Sequence, residues 1–455
     1  MESPTTFRGW RVMTAFLFLL AGMGQNPLAA QDATGKQMLS NSVIHELALE
    51  SPVLPANYHE RANGPGTIIA GDVINAGFDV GCDSCGGGGC DVCTLVCGPR
   101  CSSGLWVRAD YLLWWEKGSN LIALATTSTG NPAAADIGVL GVSTTKVLFG
   151  GHVNDSPLSG YRLELGSWLD PNNTVGLFGR YFTAGDREIG FSANPNSLRY
   201  LARPFFNLAS DAEDAILLTN PGDREGSIDI HFDGRANGWE LLLRSCAYVG
   251  CNYRLDLVYG YRHFELEENL VINTSSVVLP GSPGIVPVGT VTNGNDSFHT
   301  KNKFDGFDLG IAGQARDGCW SLDFLAKVAL GNMRERVDIN GFAVVDTPGL
   351  PLETLVGALL TQETNIGRFE QDEFAWIPEL NLNIGYSVTP SLDITIGYSL
   401  IYVDKMLQLA STIDRVIDPA LIADLTPLVG DRPELIVNER DYWLQGLNFG
   451  LTARF

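Results

Sequence analysis

The chain has 455 residues, and its 30 Lys and Arg against 52 Asp and Glu give a formal net charge of −22 at pH 7. Such an acidic balance repels phosphate and excludes nucleic acid as a favoured partner. Only 18% of residues are charged, 51 are Gly and mean hydropathy is slightly positive, yet no apolar run reaches the ~18 residues that a helical membrane span needs.

The N-terminus reads as a secretory signal over residues 1–30. Arg8 and Arg11 give a basic start, MTAFLFLLAGM (13–23) an apolar core, and Ala29–Ala30 a cleavage point before Gln31. Residues 31–81 are rich in Pro, Gly, Asn and Ala with little periodicity, and are expected to be a flexible periplasmic linker, with one short helix at VIHELALES (43–51). Residues 82–103 hold six crowded cysteines: Cys82, Cys85, Cys90, Cys93, Cys97 and Cys101. Two CxxC pairs at this spacing suit tetrahedral zinc in a reducing compartment. Export to an oxidising one favours disulfides, so the expectation is a small disulfide knot beside the barrel entrance, with no metal. Its expected role is either to fix the barrel entrance or to bind a periplasmic partner. Cys246 and Cys251 flank a turn and are candidates to bridge it.

From residue 104 onward the dominant signal is period two. In LWVRADYLLWWE (105–116), Leu105, Val107, Ala109, Tyr111, Leu113 and Trp115 form one apolar row. The opposite row carries Arg108, Asp110 and Glu116. The same alternation marks 160–169, 174–183, 238–247, 252–264, 304–314, 319–331, 376–387, 391–403 and 442–455, ten strands in all (range 8–12). Short turns at 170–173, 247–251, 315–318 and 388–390 alternate with long connections at 117–159, 184–237, 265–303, 332–375 and 404–441. A soluble β-sandwich also alternates. It rarely carries so many long connections, whereas an outer-membrane barrel has short periplasmic turns and long outer loops. The expected fold is therefore an all-β, antiparallel up-and-down transmembrane barrel over 104–455. Within the long connections, LPLETLVGALLTQ (350–362) and LIADLTPLV (421–429) are candidate short helices.

Four strands open with Gly and a large apolar residue, at GYRLEL (160), GWELLL (238), GFDLGI (306) and GLNFGL (446); Tyr161, Trp239 and Phe307 then sit at the outer interface. The chain ends on NFGLTARF (448–455). In hydrocarbon a spanning sheet must close on itself, so this strand is expected to pair with 104–116. Asn448, Gly450, Ala453 and Phe455 also look like the terminal signal read by the barrel assembly machinery.

WVRADYLLWW, GYRLELGSWLD and the final GLTARF resemble the β-barrel porin family, type seven, of bacterial outer-membrane proteins. The resemblance covers about residues 104–455. It implies a barrel fold, outer-membrane lipid as partner and location, and a porin-like function, and it brings no catalytic residues.

If the apolar rows face lipid, the other rows line the interior. Its positive charges are then Arg108, Arg162, Arg180, Arg244, Arg254, Arg262, Lys327 and Arg454. Its negative charges are Asp110, Glu116, Glu164, Glu240, Asp256, Asp308, Asp323, Glu379 and Asp393. Such a narrow, nearly neutral interior is expected to form a cross-lumen ion-pair network. Two functions follow: a porin-like channel of low conductance for small solutes, or a structural or adhesive barrel acting through its outer loops and periplasmic segment. The enzymatic alternative is a barrel protease, for which DIHFD offers Asp229, His231 and Asp233; parity places them outward, no second signature accompanies them, and His152, His263 and His299 show no evident partners. No cofactor and no enzymatic activity are expected.

Overall fold

The computed structural model describes residues 104–153, 156–250, 252–422 and 430–455. The expected signal, the linker, Cys82, Cys85, Cys90, Cys93, Cys97, Cys101 and Cys251 lie outside the described residues.

Ten antiparallel strands close into a barrel. They are β1 (Leu105–Glu116), β4 (Leu158–Trp168), β5 (Val175–Ala193), β8 (Arg224–Val249), β9 (Tyr253–Val278), β10 (Val291–Asp317), β11 (Trp320–Asp346), β13 (Gly367–Thr389), β14 (Leu392–Leu407) and β16 (Glu439–Arg454). Each pairs with its barrel neighbours in chain order, and β16 returns to β1. Tyr111 faces Phe449 and Leu113 faces Leu447 across that seam, and the Phe455 amide donates to the Leu105 carbonyl at 3.0 Å. The last strand thus removes both sheet edges, as an environment without water requires.

All ten strands fall at the sequence-derived segments, but several are much longer. β8 to β11 run 26 or 27 residues each, more than twice a tilted membrane span. The alternation continues past the membrane, so much of what reads as loop is barrel wall. Remaining parts of the connections build a second sheet from β2 (Ser119–Ser128), β3 (Thr145–Val153), β6 (Leu201–Asn207), β7 (Ala212–Thr219) and β15 (Val416–Ile417). Its Leu121, Leu124, Leu201 and Phe205 share one core with inward-facing Phe232, Leu270, Phe298 and Ile339 of the upper barrel. The outer mouth is therefore capped.

The helix expected over 350–362 is not formed. Residues Glu353–Val356 are strand β12, added to the edge of β11, and Leu359 and Leu360 insert into the cap core. Their anchor is Asp296, which accepts from the Leu360 and Thr361 amides at 2.9 and 3.0 Å. Of the second candidate, only the turn α1 (Pro419–Ile422) falls among the described residues.

The two faces of the wall separate as the period-two pattern requires. Leu309 and Leu163 are 54% and 48% exposed on the outside, whereas Leu112 and Leu242 are fully buried inside. Tyr161, Trp239 and Phe307 end the outer apolar band as an aromatic girdle.

Candidate functional site

The functional feature of this fold is its interior. Every one of the seventeen charges assigned to the inner rows is buried or half-buried inside the barrel. At the end of the barrel with the short turns, Asp256 takes Arg244 at 2.6 Å and Arg254 at 2.7 Å. Arg454 pairs with Asp393, which also accepts from the Ser387 hydroxyl at 2.8 Å. Asp323 accepts from Gln314, and the Trp106 indole donates to Glu164 at 3.1 Å. Asp110 bridges Arg108 at 2.9 Å and Arg162 at 2.8 Å.

The centre is a six-membered cluster. Arg180 bridges Glu240 and Glu379. Arg262 lies 2.8 Å from Glu379. Lys327 touches Glu240, lies 2.6 Å from Asp308 and 3.4 Å from Glu379. Three cations face three carboxylates, with no net charge. Buried charge is tolerable only in such paired form, because desolvation of each ion costs several kcal/mol.

Above the cluster the interior turns apolar. Leu112, Trp114, Phe182, Phe264, Phe304, Met333, Ile377, Val403 and Leu444 belong to one buried layer, to which all ten barrel strands contribute. The sequence reading expected an ion-pair network and no apolar layer; Leu112 and Trp114 lie in the same row as Arg108 and Asp110, and pack here because every facing strand offers an apolar or aromatic residue at that height. The Trp114 indole donates to Asn448 at 2.9 Å, and Asn448 donates to Ser399 at 2.7 Å.

The residues of the terminal signature therefore have structural duties. Asn448 satisfies Trp114, and Gly450 leaves room for Asp110, since a Cβ there would sit 2.0 Å from its Oδ1. Ala453 faces Val107 across the closing seam, and Phe455 is exposed.

Glu116 stands apart from the network. It lies beyond the apolar layer, paired with Arg187 and accepting from the Tyr442 hydroxyl. Parity counted from Arg180 places Arg187 outside. A bulge between Thr183 and Asp186, with Gly185 at φ 96°, switches the row inward. Glycine at a strand position was the signal that was available for this.

Two more acids that the sequence reading missed sit in the outer barrel, Glu268 and Glu335. Both are raised above the usual carboxylate range by burial, Glu335 to about 7. Gln371 donates to Glu335 at 2.6 Å and partly offsets the burial, while the charges of Glu439 and Glu373 add to the rise. A raised carboxyl favours the fold when protonated. Its stabilisation is complete below the ordinary value near 4.5 and is lost as pH rises through about 7. Thermal melts of the detergent-folded protein are expected to weaken between pH 5 and 8 by on the order of 1–2 kcal/mol. Glu335→Gln should flatten that slope; an unchanged slope would remove Glu335 as its source.

Several sequence readings need correction. Cys246 is half-buried at the end of β8, where a bulge shifts the register between Cys246 and Tyr248; the expected bridge from it to Cys251 reaches a residue outside the described ones. Cys319, in the turn after β10, is disulfide-bonded and was not among the candidates. His263 and His299 do have partners: Asp305 at 2.8 Å and Glu267 at 3.3 Å. Both partners come from an adjacent strand, invisible without register. Asp229, His231 and Asp233 face outward on β8, with His231 3.5 Å from Asp233 and 3.8 Å from Glu188.

A closed antiparallel ten-stranded barrel with an apolar outer band and a filled, charge-paired interior defines a transmembrane-type β-barrel protein. The chain belongs to the family described as putative beta barrel porin-7, which matches residues 106–455. No curated protein matches it. Solved structures with similar folds include the outer membrane protease OmpT from Escherichia coli, at 11% identity and TM-score 0.39, covering 77% of this chain and 97% of that one. The P. putida toluene transporter TodX is 7% identical with TM-score 0.20, covering 77% and 90%. A Pseudomonas aeruginosa FadL homologue is 9% identical with TM-score 0.20, covering 78% and 90%. Likeness at this level carries no functional argument.

Proposed function

We propose that the protein is a closed, non-enzymatic barrel of the bacterial outer membrane, a stable anchor that presents its outer wall and cap to partners. The apolar layer contributed by all ten strands carries this reading. An ion crossing it would lose most of its hydration with few polar groups to replace it, those of Trp114 and Tyr442 being already bonded, at a cost of several kcal/mol or more. The charge cluster beneath adds a second barrier, because every cation in it is already held by carboxylates. The cap above supplies a third.

A porin-like channel of low conductance is the second reading, favoured by the family to which the chain belongs. The two differ in one measurement. Purified barrels in a planar bilayer in molar KCl are expected to give no discrete conductance steps, and proteoliposomes no swelling with small sugars. Large, stable single-channel steps would overturn the closed-barrel reading. In the same reading, outer-membrane lipid contacts the exposed apolar band. The assembly machinery reads the terminal strand, and the Cys-rich segment is where a periplasmic partner binds.

A further inference from the structure

The outward side chains of β8 to β11 change character with height. Strand register aligns them in rows across the wall. The row Leu241–Tyr261–Phe307–Leu330 is apolar and lies in the girdle. Higher up, the row Arg235–Glu267–Lys301–Arg336 is charged throughout, with Lys301 3.4 Å from Glu267. Higher again this run of charge stops. There the row is Ser192–Asp229–Asn273–Asn295–Phe342, followed by Ser227–Ser275–Asn293.

These two upper rows enclose a shallow depression of ≈ 320 Å³, lined among others by Asp229, Asn273, Ser275, Asn293, Asn295 and Phe342. Its size is at the lower end for small-ligand sites. Asn295 donates to Asn273 at 2.8 Å, and Ser192 donates to Asp229. A carboxamide has two donors and two acceptor positions, so the linked pair still offers both kinds to a ligand. Phe342 is 48% exposed at the end of the row.

Solvation alone does not explain this composition. Charged rows keep the lower wall wet, and the row next below the depression, His231–Val271–Ser297–Asn340, already carries no carboxylate and no Lys or Arg. Amides and hydroxyls that both donate and accept, one carboxylate and an exposed ring in a concavity match a neutral polyhydroxylated ligand. Each hydroxyl of such a ligand also donates and accepts, and its C–H face packs on an aromatic ring. A phosphate or other anion would meet Asp229 and no cation in the depression.

We propose that this strip is a saccharide-binding site. Hydroxyls of successive sugar units bond to Asp229, Asn273 and Asn295 along the row, and the apolar face of one unit lies against Phe342. The proposal deepens the reading of an anchor that acts through its outer wall, and rests on it for the placement of this wall outside the cell.

The test uses the full chain folded in detergent micelles and a printed array of neutral hexose and N-acetylhexosamine oligosaccharides. Binding to at least one class is expected, weakened about 10-fold or more by Phe342→Ala and by Asn295→Ala, the scale of one lost stacking or hydrogen-bonding contact. Both substitutions lie on an exposed wall, and retention of the compact, heat-modifiable gel band verifies folding. Competition by extracted outer-leaflet glycolipid identifies a lipid-anchored glycan, and competition by soluble chains alone a free one; either outcome upholds the site. No binding to any neutral saccharide, or binding unchanged in both folded variants, overturns it. Failure here leaves the bilayer experiment untouched, and conductance steps with intact saccharide binding would overturn only the closed interior.

Discussion

Replacing Lys327 with Met is expected to lower the unfolding free energy of the detergent-folded barrel by about 3–5 kcal/mol, the range for breaking a buried ion pair on one side. Lys327 is fully buried at its side chain and serves Glu240, Asp308 and Glu379 at once. Without it, three carboxylates share Arg180 and Arg262. The methionine fills most of the volume, so the loss reports charge imbalance more than a cavity. A second substitution separates the two: Asp308→Asn in the Lys327→Met background restores two cations facing two carboxylates and should recover part of the loss. Urea unfolding followed by tryptophan fluorescence measures both. A loss under 1 kcal/mol in the single variant, or no recovery in the double, would mean that the cluster is not held by mutual neutralisation.

Much of this molecule was legible in the sequence, for a definite reason. A barrel wall between hydrocarbon and a narrow interior imposes strict alternation, and LWVRADYLLWWE carries it without interruption. The same parity assigned the inner rows, from Arg108 to Arg454. Two kinds of information were missing. Alternation does not say where membrane ends, so the upper halves of β8 to β11 read as loops although their pattern continues. Parity also does not give register. Register decides that Leu112, Phe264 and Phe304 meet at one height and seal the interior, and that His263 finds Asp305. The bulge at Gly185, which turns Arg187 inward toward Glu116, is the local case of the same limit. The cap sheet, assembled from three separate connections, rests on pairings such as β15 with β6 that no local pattern announces.

The zoning of the outer wall has the same origin. Aromatic residues end the apolar band, charged rows follow, and rows dominated by amides and hydroxyls, with Asp229 among them, lie above. Each zone matches the medium expected at that height: acyl chains, headgroups, then the hydrated exterior.

The central claim is that alternate residues of one wall face lipid and a filled interior, and it can be read on the unmodified protein. In bilayers containing a fatty acid with a diazirine on its chain, photolysis and peptide mapping report which side chains the acyl phase touches. The second large effect is expected here, as a sharp residue-by-residue alternation. Leu163, Leu165, Leu241, Leu309 and Ile396 should be labelled, and Leu112, Leu242, Phe264 and Phe304 should not. Labels on the second group, or an unlabelled first group, would contradict the account.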